Sequence, residues 1–128
     1  MGTTPRESGQ TIMVVDDDPM IRDILRKALE KIGYRVVAEA NDGNEAVAKY
    51  SALRPQVTLM DICLPNKNGI EATKDIVSFD ENANVIMCSA IHHRALLQAA
   101  EEGGARDVIA KPYNMSHLCA VLSRVLQE

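Results

Sequence analysis

Apolar and polar positions along the chain alternate between two periods. Short continuous apolar runs at residues 11–15, 35–40, from about 56 to 61, 84–89 and 106–110 read as strands. Between them the apolar residues recur at helical spacing. Ile21, Ile24, Leu25, Ala28, Leu29 and Ile32 form one stripe, with Arg22, Asp23, Arg26, Lys27, Glu30 and Lys31 mostly on the other face. Ala46, Val47, Tyr50 and Leu53 point inward from a second helix, and Ile70, Thr73, Ile76 and Val77 from a third. Ala95, Leu96, Ala99 and Ala100 line a fourth, and Leu118, Val121, Leu122, Val125 and Leu126 a fifth. The punctuation agrees. Asp18 and Pro19 suit the N-cap and first turn of the first helix, and Gly33 its end. Asn41-Asp42-Gly43, Pro55, Gly69, Gly103-Gly104 and Lys111-Pro112 mark the other connections.

Five strands alternating with five helices predict a parallel sheet covered on both faces. Right-handed crossovers and this element count favour a flavodoxin-like (βα)5 doubly wound α/β fold, with strand order 2-1-3-4-5. Internal repeats, low-complexity tracts and linkers are missing. The expectation is a polar, flexible tail over residues 1–10 and a single domain over 11–128.

Composition narrows the class. The 128 residues are 46% hydrophobic, enough for a real core. Fourteen Lys and Arg against 18 Asp and Glu give a formal net charge of -4, and one Phe, three Tyr and no Trp offer no stacking platform, so nucleic acid is not an expected direct partner. Cys63, Cys88 and Cys119 lack C-x-x-C spacing and read as reduced thiols. With no apolar run near the ~20 residues of a membrane span and no signal-peptide core at the start, a cytoplasmic protein without membrane contact is expected.

The third strand changes the picture most. Val57-Thr58-Leu59-Met60-Asp61 ends on a carboxylate, followed by the turn formers Pro65, Asn66, Asn68 and Gly69. Strand one ends at Asp16 and Asp17, strand four at Ser89 and strand five at Lys111. In a doubly wound sheet these ends share one edge, where such folds build their sites. Three crowded carboxylates repel unless a cation neutralises them. Hard oxygen ligands without His or Cys suit Mg²⁺, which accepts phosphate oxygens as further ligands. Lys111 supplies a point charge for phosphate and Ser89 a hydroxyl donor. Asp61 is then a candidate phosphoryl acceptor, because phosphoryl transfer demands chiefly positioning and charge neutralisation.

Val14-Val15-Asp16-Asp17-Asp18-Pro19, Met60-Asp61 with Leu64-Pro65 and Gly69, Ser89-Ala90, and Gly104-Ala105 followed by Lys111-Pro112-Tyr113 resemble the receiver domain of two-component response regulators. The resemblance covers residues 11–128 and is closest in organisation to the stand-alone chemotaxis type. It implies that Asp61 takes a phosphoryl group from a histidine kinase. It implies that Asp17, Asp61 and the backbone carbonyl of Cys63 bind Mg²⁺, with Asp16 acting largely through a metal-bound water. Lys111, joined to Pro112 by a cis bond, would contact the phosphoryl group. Ser89 would swing inward to it and pass the signal to a partner protein on the face of the fourth helix, fifth strand and fifth helix. On this reading the chain catalyses only its own phosphorylation and dephosphorylation, and is a monomer or a phosphorylation-dependent homodimer.

Three positions depart from the family pattern. Val108 stands where many receivers carry an aromatic residue three before the Lys. Cys63 and Ile91 stand two beyond the acceptor and the switch Ser, where family side chains flank the attacking water. An apolar Ile91 predicts slow self-hydrolysis. Asn68, where many members have Asp, reads as a neutral turn substitution.

Simpler readings apply to several residues. Asp18 is a helix cap rather than a ligand. His92, His93 and His117 lack ligand spacing and read as surface or partner-contact residues, Cys63 as a spectator thiol beside carboxylates that disfavour its thiolate. Met115 reads as core and Glu101-Glu102 as a solvated helix end. Rival functions are a Mg²⁺-dependent phosphatase with an Asp nucleophile and a flavodoxin-like flavin carrier. The first would want a second Asp where Cys63 stands. The second would want a Ser/Thr/Gly-rich loop and aromatic rings instead of three Asp and Pro19. A phosphorelay intermediate, or a receiver from a larger regulator, keeps the same chemistry.

Overall fold

The computed structural model describes residues 9–90 and 94–127. Ile91, His92 and His93, and with them the expectation on water entry, lie outside the described residues, as does most of the expected 1–10 tail.

Ten elements alternate along the chain: β1 (Thr11–Val15), α1 (Pro19–Lys31), β2 (Arg35–Ala40), α2 (Gly43–Leu53), β3 (Val57–Asp61), α3 (Gly69–Phe79), β4 (Val85–Ser89), α4 (Arg94–Glu102), β5 (Asp107–Ala110) and α5 (Met115–Gln127). The strands form one sheet in the order β2-β1-β3-β4-β5, every neighbouring pair parallel. Both expectations from the alternation hold. β3 and β4 are buried along their whole length, as central parallel strands with helices on both faces should be.

Alternate side chains of each strand divide the core in two. Ile12, Val14, Leu59, Ile86 and Cys88 pack with Leu25 and Leu29 of α1 and Leu118 and Leu122 of α5. Met13, Val15, Met60, Val85 and Met87 pack with Ala46 and Tyr50 of α2, Ala72 and Ile76 of α3 and Ala100 of α4. Burying so many full side chains is the main stabilising term, at roughly 1.5–3 kcal/mol each.

The buried stripes are narrower than the apolar spacing predicts at three places. Ile24 is 57% exposed, Ile32 38% and Leu53 51%. The stripe of α1 that meets the sheet centres on Leu25 and Leu29, which leaves Ile24 and Ile32 on its flanks. Leu53 is the last residue of α2, where Arg54 turns the chain away in a left-handed conformation. β4 and β5 each begin one residue later than the pattern suggested, at Val85 and Asp107. Asn84 and Arg106 still bond the neighbouring strands, through Thr58 N–H to the Asn84 carbonyl (2.9 Å) and Arg106 N–H to the Val85 carbonyl (2.8 Å). Among the described residues, no helix is long and apolar enough to cross a membrane.

Candidate functional site: an acidic edge closed by a lysine

The strand pairings bring four strand ends together. Val15 of β1 lies beside Met60 of β3, Asp61 beside Cys88 of β4, and Ser89 beside Ala110 of β5. The residues that follow, Asp16, Asp17 and Lys111, therefore surround Asp61 at the C-terminal edge.

Asp16 is 1% and Asp61 6% exposed, while Asp17 faces solvent. One carboxylate oxygen from each of the three lies within 4.8 Å of the others. Lys111 Nζ reaches across from β5 to Asp16 Oδ2 at 2.8 Å and Asp61 Oδ2 at 3.2 Å. The second oxygen of each buried acid accepts a backbone N–H, from Asp18 to Asp16 Oδ1 (2.9 Å) and from Cys63 to Asp61 Oδ1 (3.2 Å). Ser89 is buried, and its carbonyl accepts the Lys111 N–H at 3.0 Å. The bond between Lys111 and Pro112 is cis, as the resemblance implied.

Electrostatics follow from this burial. Desolvation raises the Asp61 carboxyl above its ordinary value, the Lys111 charge opposing and the Asp16 charge adding to it. For Lys111, burial works against the charge, but the hydrogen bond to Asp16 and the charges of Asp61 and Asp16 outweigh it and hold the ammonium above its usual value. Behind the site, burial pushes the Cys88 thiol up to about 12, with the Tyr113 hydroxyl as its hydrogen-bonding neighbour. A thiol so placed is inert packing.

The loop after β3 is held from two sides. A Cβ on Gly69 would sit 2.2 Å from the Asp61 carbonyl oxygen, so only glycine lets α3 start so close to the strand end. Asn68 caps α3 by accepting the Glu71 N–H (2.9 Å), and Glu71 returns the bond to the Asn68 N–H (3.2 Å). Asn68 is thus a full capping-box residue, more than a neutral turn substitution. On the other side, Asn66 donates to Asp42 at 2.7 Å, and Gly43 lies so near the Lys67 carbonyl that a Cβ there would come within 2.1 Å.

Asp16, Asp17, Asp61 and Lys111, singled out in the sequence, therefore converge, with Ser89 and the Cys63 main chain on the same edge. The Cys63 side chain is exposed. Asp18 caps α1, accepting the Met20 N–H at 2.9 Å. His117 is exposed in the first turn of α5, its N–H on Asn114, away from the acids. Two residues at the site escaped the sequence reading. Arg22 donates to the Asp16 carbonyl at 2.6 Å, and Glu39 holds Arg22. Their signal, a cation in the first turns of a helix where the dipole disfavours it, is faint.

Five parallel strands in this order, with an acid cluster and a lysine at the switch edge, define a receiver domain, and comparison with known proteins agrees. Residues 12–123 match the family model of the response regulator receiver domain, and the chain belongs to that family. It is similar to the chemotaxis protein CheY of Thermotoga maritima, 41% identical over 91% of this chain and 98% of that protein. It is also similar to the protein CcdB of Bacillus subtilis, 42% identical over 90% of this chain and 96% of that one. Among solved structures, the CheX-CheY-BeF3-Mg complex from Borrelia burgdorferi superposes with a TM-score of 0.86 at 30% identity, covering 90% of this chain and 87% of that chain. The protein is a CheY-type receiver, a phosphorylation-dependent signalling switch. The phosphatase and phosphorelay-intermediate readings are not favoured.

Proposed function

We propose that Asp61 accepts a phosphoryl group from a phosphohistidine of a histidine kinase, and that the resulting change is read by a partner protein in chemotaxis. The observation that supports this most is Lys111 Nζ bridging Asp16 and Asp61 beside the exposed Asp17. Three carboxylates against one ammonium leave a local charge of about two negative units, which a divalent cation balances. All the donors are hard oxygens, so the set fits Mg²⁺. Asp17, Asp61 and the Cys63 carbonyl would hold it, with Asp16 reaching it through water. Bound there, Mg²⁺ supplies charge neutralisation for the carboxylates and the phosphoryl oxygens.

The chain's own residues do the rest. An Asp61 carboxylate oxygen attacks phosphorus; the P–N bond to the imidazole breaks as the P–O bond forms. Lys111, already fixed on Asp61, is placed to follow the charge onto the phosphoryl oxygens. Ser89 sits one strand away as the hydroxyl donor that senses the group. Attack of water on phosphorus returns the carboxylate and inorganic phosphate. The readout surface is the α4-β5-α5 face, including Val108 and Tyr113. By likeness to the Borrelia complex, a CheX-type protein is one candidate partner. A cytoplasmic location fits kinase and effector alike.

The test is phosphorylation of the purified chain by acetyl phosphate, followed by intact mass. The expected result is a gain of one phosphoryl group that needs Mg²⁺ and is absent in Asp61→Asn. A gain that survives Asp61→Asn, or none with wild type and Mg²⁺, refutes the assignment.

A further inference from the structure

We propose that Arg22, held by Glu39, is a positioning residue for the metal-binding acids that follow strand β1. This rests on the reading of Asp16 and Asp17 given above. Arg22 is the fourth residue of α1, near the positive end of the helix dipole, and its side chain is 17% exposed. Both facts oppose a cation there, so the tertiary contacts must account for it. Nη1 donates to the Asp16 carbonyl at 2.6 Å, and Nε pairs with Glu39 Oε1 at 3.1 Å. Glu39 is itself fixed. Arg26 Nε takes its other oxygen at 3.0 Å, and Lys49 donates to its carbonyl at 2.5 Å.

The Asp16 carbonyl is the informative partner. The other polar groups of Asp16 are occupied: its N–H on the Ala40 carbonyl (3.1 Å), its carboxylate on Lys111 and the Asp18 N–H. Pinning the carbonyl sets the plane of the Asp16–Asp17 peptide, and with it the place from which Asp17 extends. Asp17 needs that support. Its side chain faces solvent and makes no hydrogen bond or ion pair among the described residues, so where its main chain sits decides where its carboxylate reaches. A planar fork can hold a carbonyl and a carboxylate at once, which a lysine ammonium does less rigidly.

Charge and position predict opposite signs. If Arg22 acted on the site only as a nearby positive charge, removing it would tighten Mg²⁺ binding. If it positions Asp17, removing it weakens binding. The experiment is calorimetric titration of the unphosphorylated full chain with MgCl₂, for wild type, Arg22→Met, Glu39→Gln and the double variant, with thermal melts of each. The expected result for Arg22→Met is about tenfold weaker Mg²⁺ binding, the scale of lost outer-shell support. Its acetyl phosphate reaction should recover at saturating Mg²⁺. Glu39→Gln weakens binding in the same direction, and the double variant is no worse than Arg22→Met alone, because both act through one contact. Unchanged or tighter binding in Arg22→Met, or additive losses, overturns the proposal. If Arg22→Met does not fold, Arg22→Lys decides, because it keeps the charge and loses the planar fork, and unchanged affinity there overturns the proposal. A wild-type chain that binds no Mg²⁺ defeats the metal reading itself. A wild type that binds, with variants that bind equally well, defeats only the positioning role.

Discussion

Asp61 is 6% exposed and shares its surroundings with Asp16, so its ionisation in the fold is opposed chiefly by desolvation. Its folded-state carboxyl is raised above the ordinary value of 3.8. The protonated form is therefore the one folding favours, and stability is lost as pH rises from about 3.8 through the raised folded value. Asn is close to the neutral form. Asp61→Asn should melt at a higher temperature than wild type at pH 7 without divalent ions, and the gap should close as pH falls well below 3.8, where Asp61 is protonated in both states. A variant that melts lower at pH 7 would mean that the Lys111 pair outweighs desolvation. At this scale the sequence was most legible for residues that end strands. Asp61, Asp16, Asp17 and Lys111 stand out because apolar runs stop on them. Arg22 and Glu39 did not, because an arginine on a helix and a glutamate in an edge strand look like solvated charges. Only the packing of α1 against β2 brings them to the Asp16 carbonyl.

Among the elements, the helix starts were written plainly and the faces less so. Asp18-Pro19 announced α1, but Ile24 and Ile32 proved exposed, since an apolar residue on the flank of a stripe has the right spacing and no partner. The loop between β3 and α3 was legible as a turn, while its clamp by Asp42 and Gly43 was not, because that depends on α2 arriving beside it. Two substitutions separate local from tertiary terms. Gly43 begins α2, and in an isolated helix alanine there would stabilise by up to ~1 kcal/mol. Here the new Cβ would meet the Lys67 carbonyl at 2.1 Å, and backbone cannot swing aside as a side chain can. Gly43→Ala should thus destabilise by ~1–3 kcal/mol, the usual scale of overpacking, as read by urea unfolding. It should also slow phosphorylation by acetyl phosphate, because the loop it displaces carries Cys63. Asn68→Ala removes the N-cap of α3 and should lose ~1 kcal/mol. A neutral result in either denaturation series would show that the loop relaxes freely.

On the scale of the whole molecule, the fold concentrates like charges at one edge of the sheet and leaves them partly unbalanced. Strand order and alternation were readable because parallel α/β sheets admit few topologies, and that order alone puts β1, β3 and β5 close enough for Lys111 to span Asp16 and Asp61. A cation that binds this edge in the native state, and has no assembled site in the unfolded chain, stabilises the fold by mass action. The gain is ~2.7 kcal/mol at a concentration a hundredfold above the dissociation constant. For a chain of this length that is a rise in Tm of roughly 10 °C. Melting curves of wild type in increasing MgCl₂ should climb toward that value, and chelation should reverse the climb. Asp17→Asn separates site binding from a general salt effect. It removes the exposed acid and leaves the Lys111 bridge between Asp16 and Asp61, so its Tm should stay nearly flat in MgCl₂. Equal rises in both proteins would assign the effect to screening of the net charge of -4 rather than to a cation held at the edge.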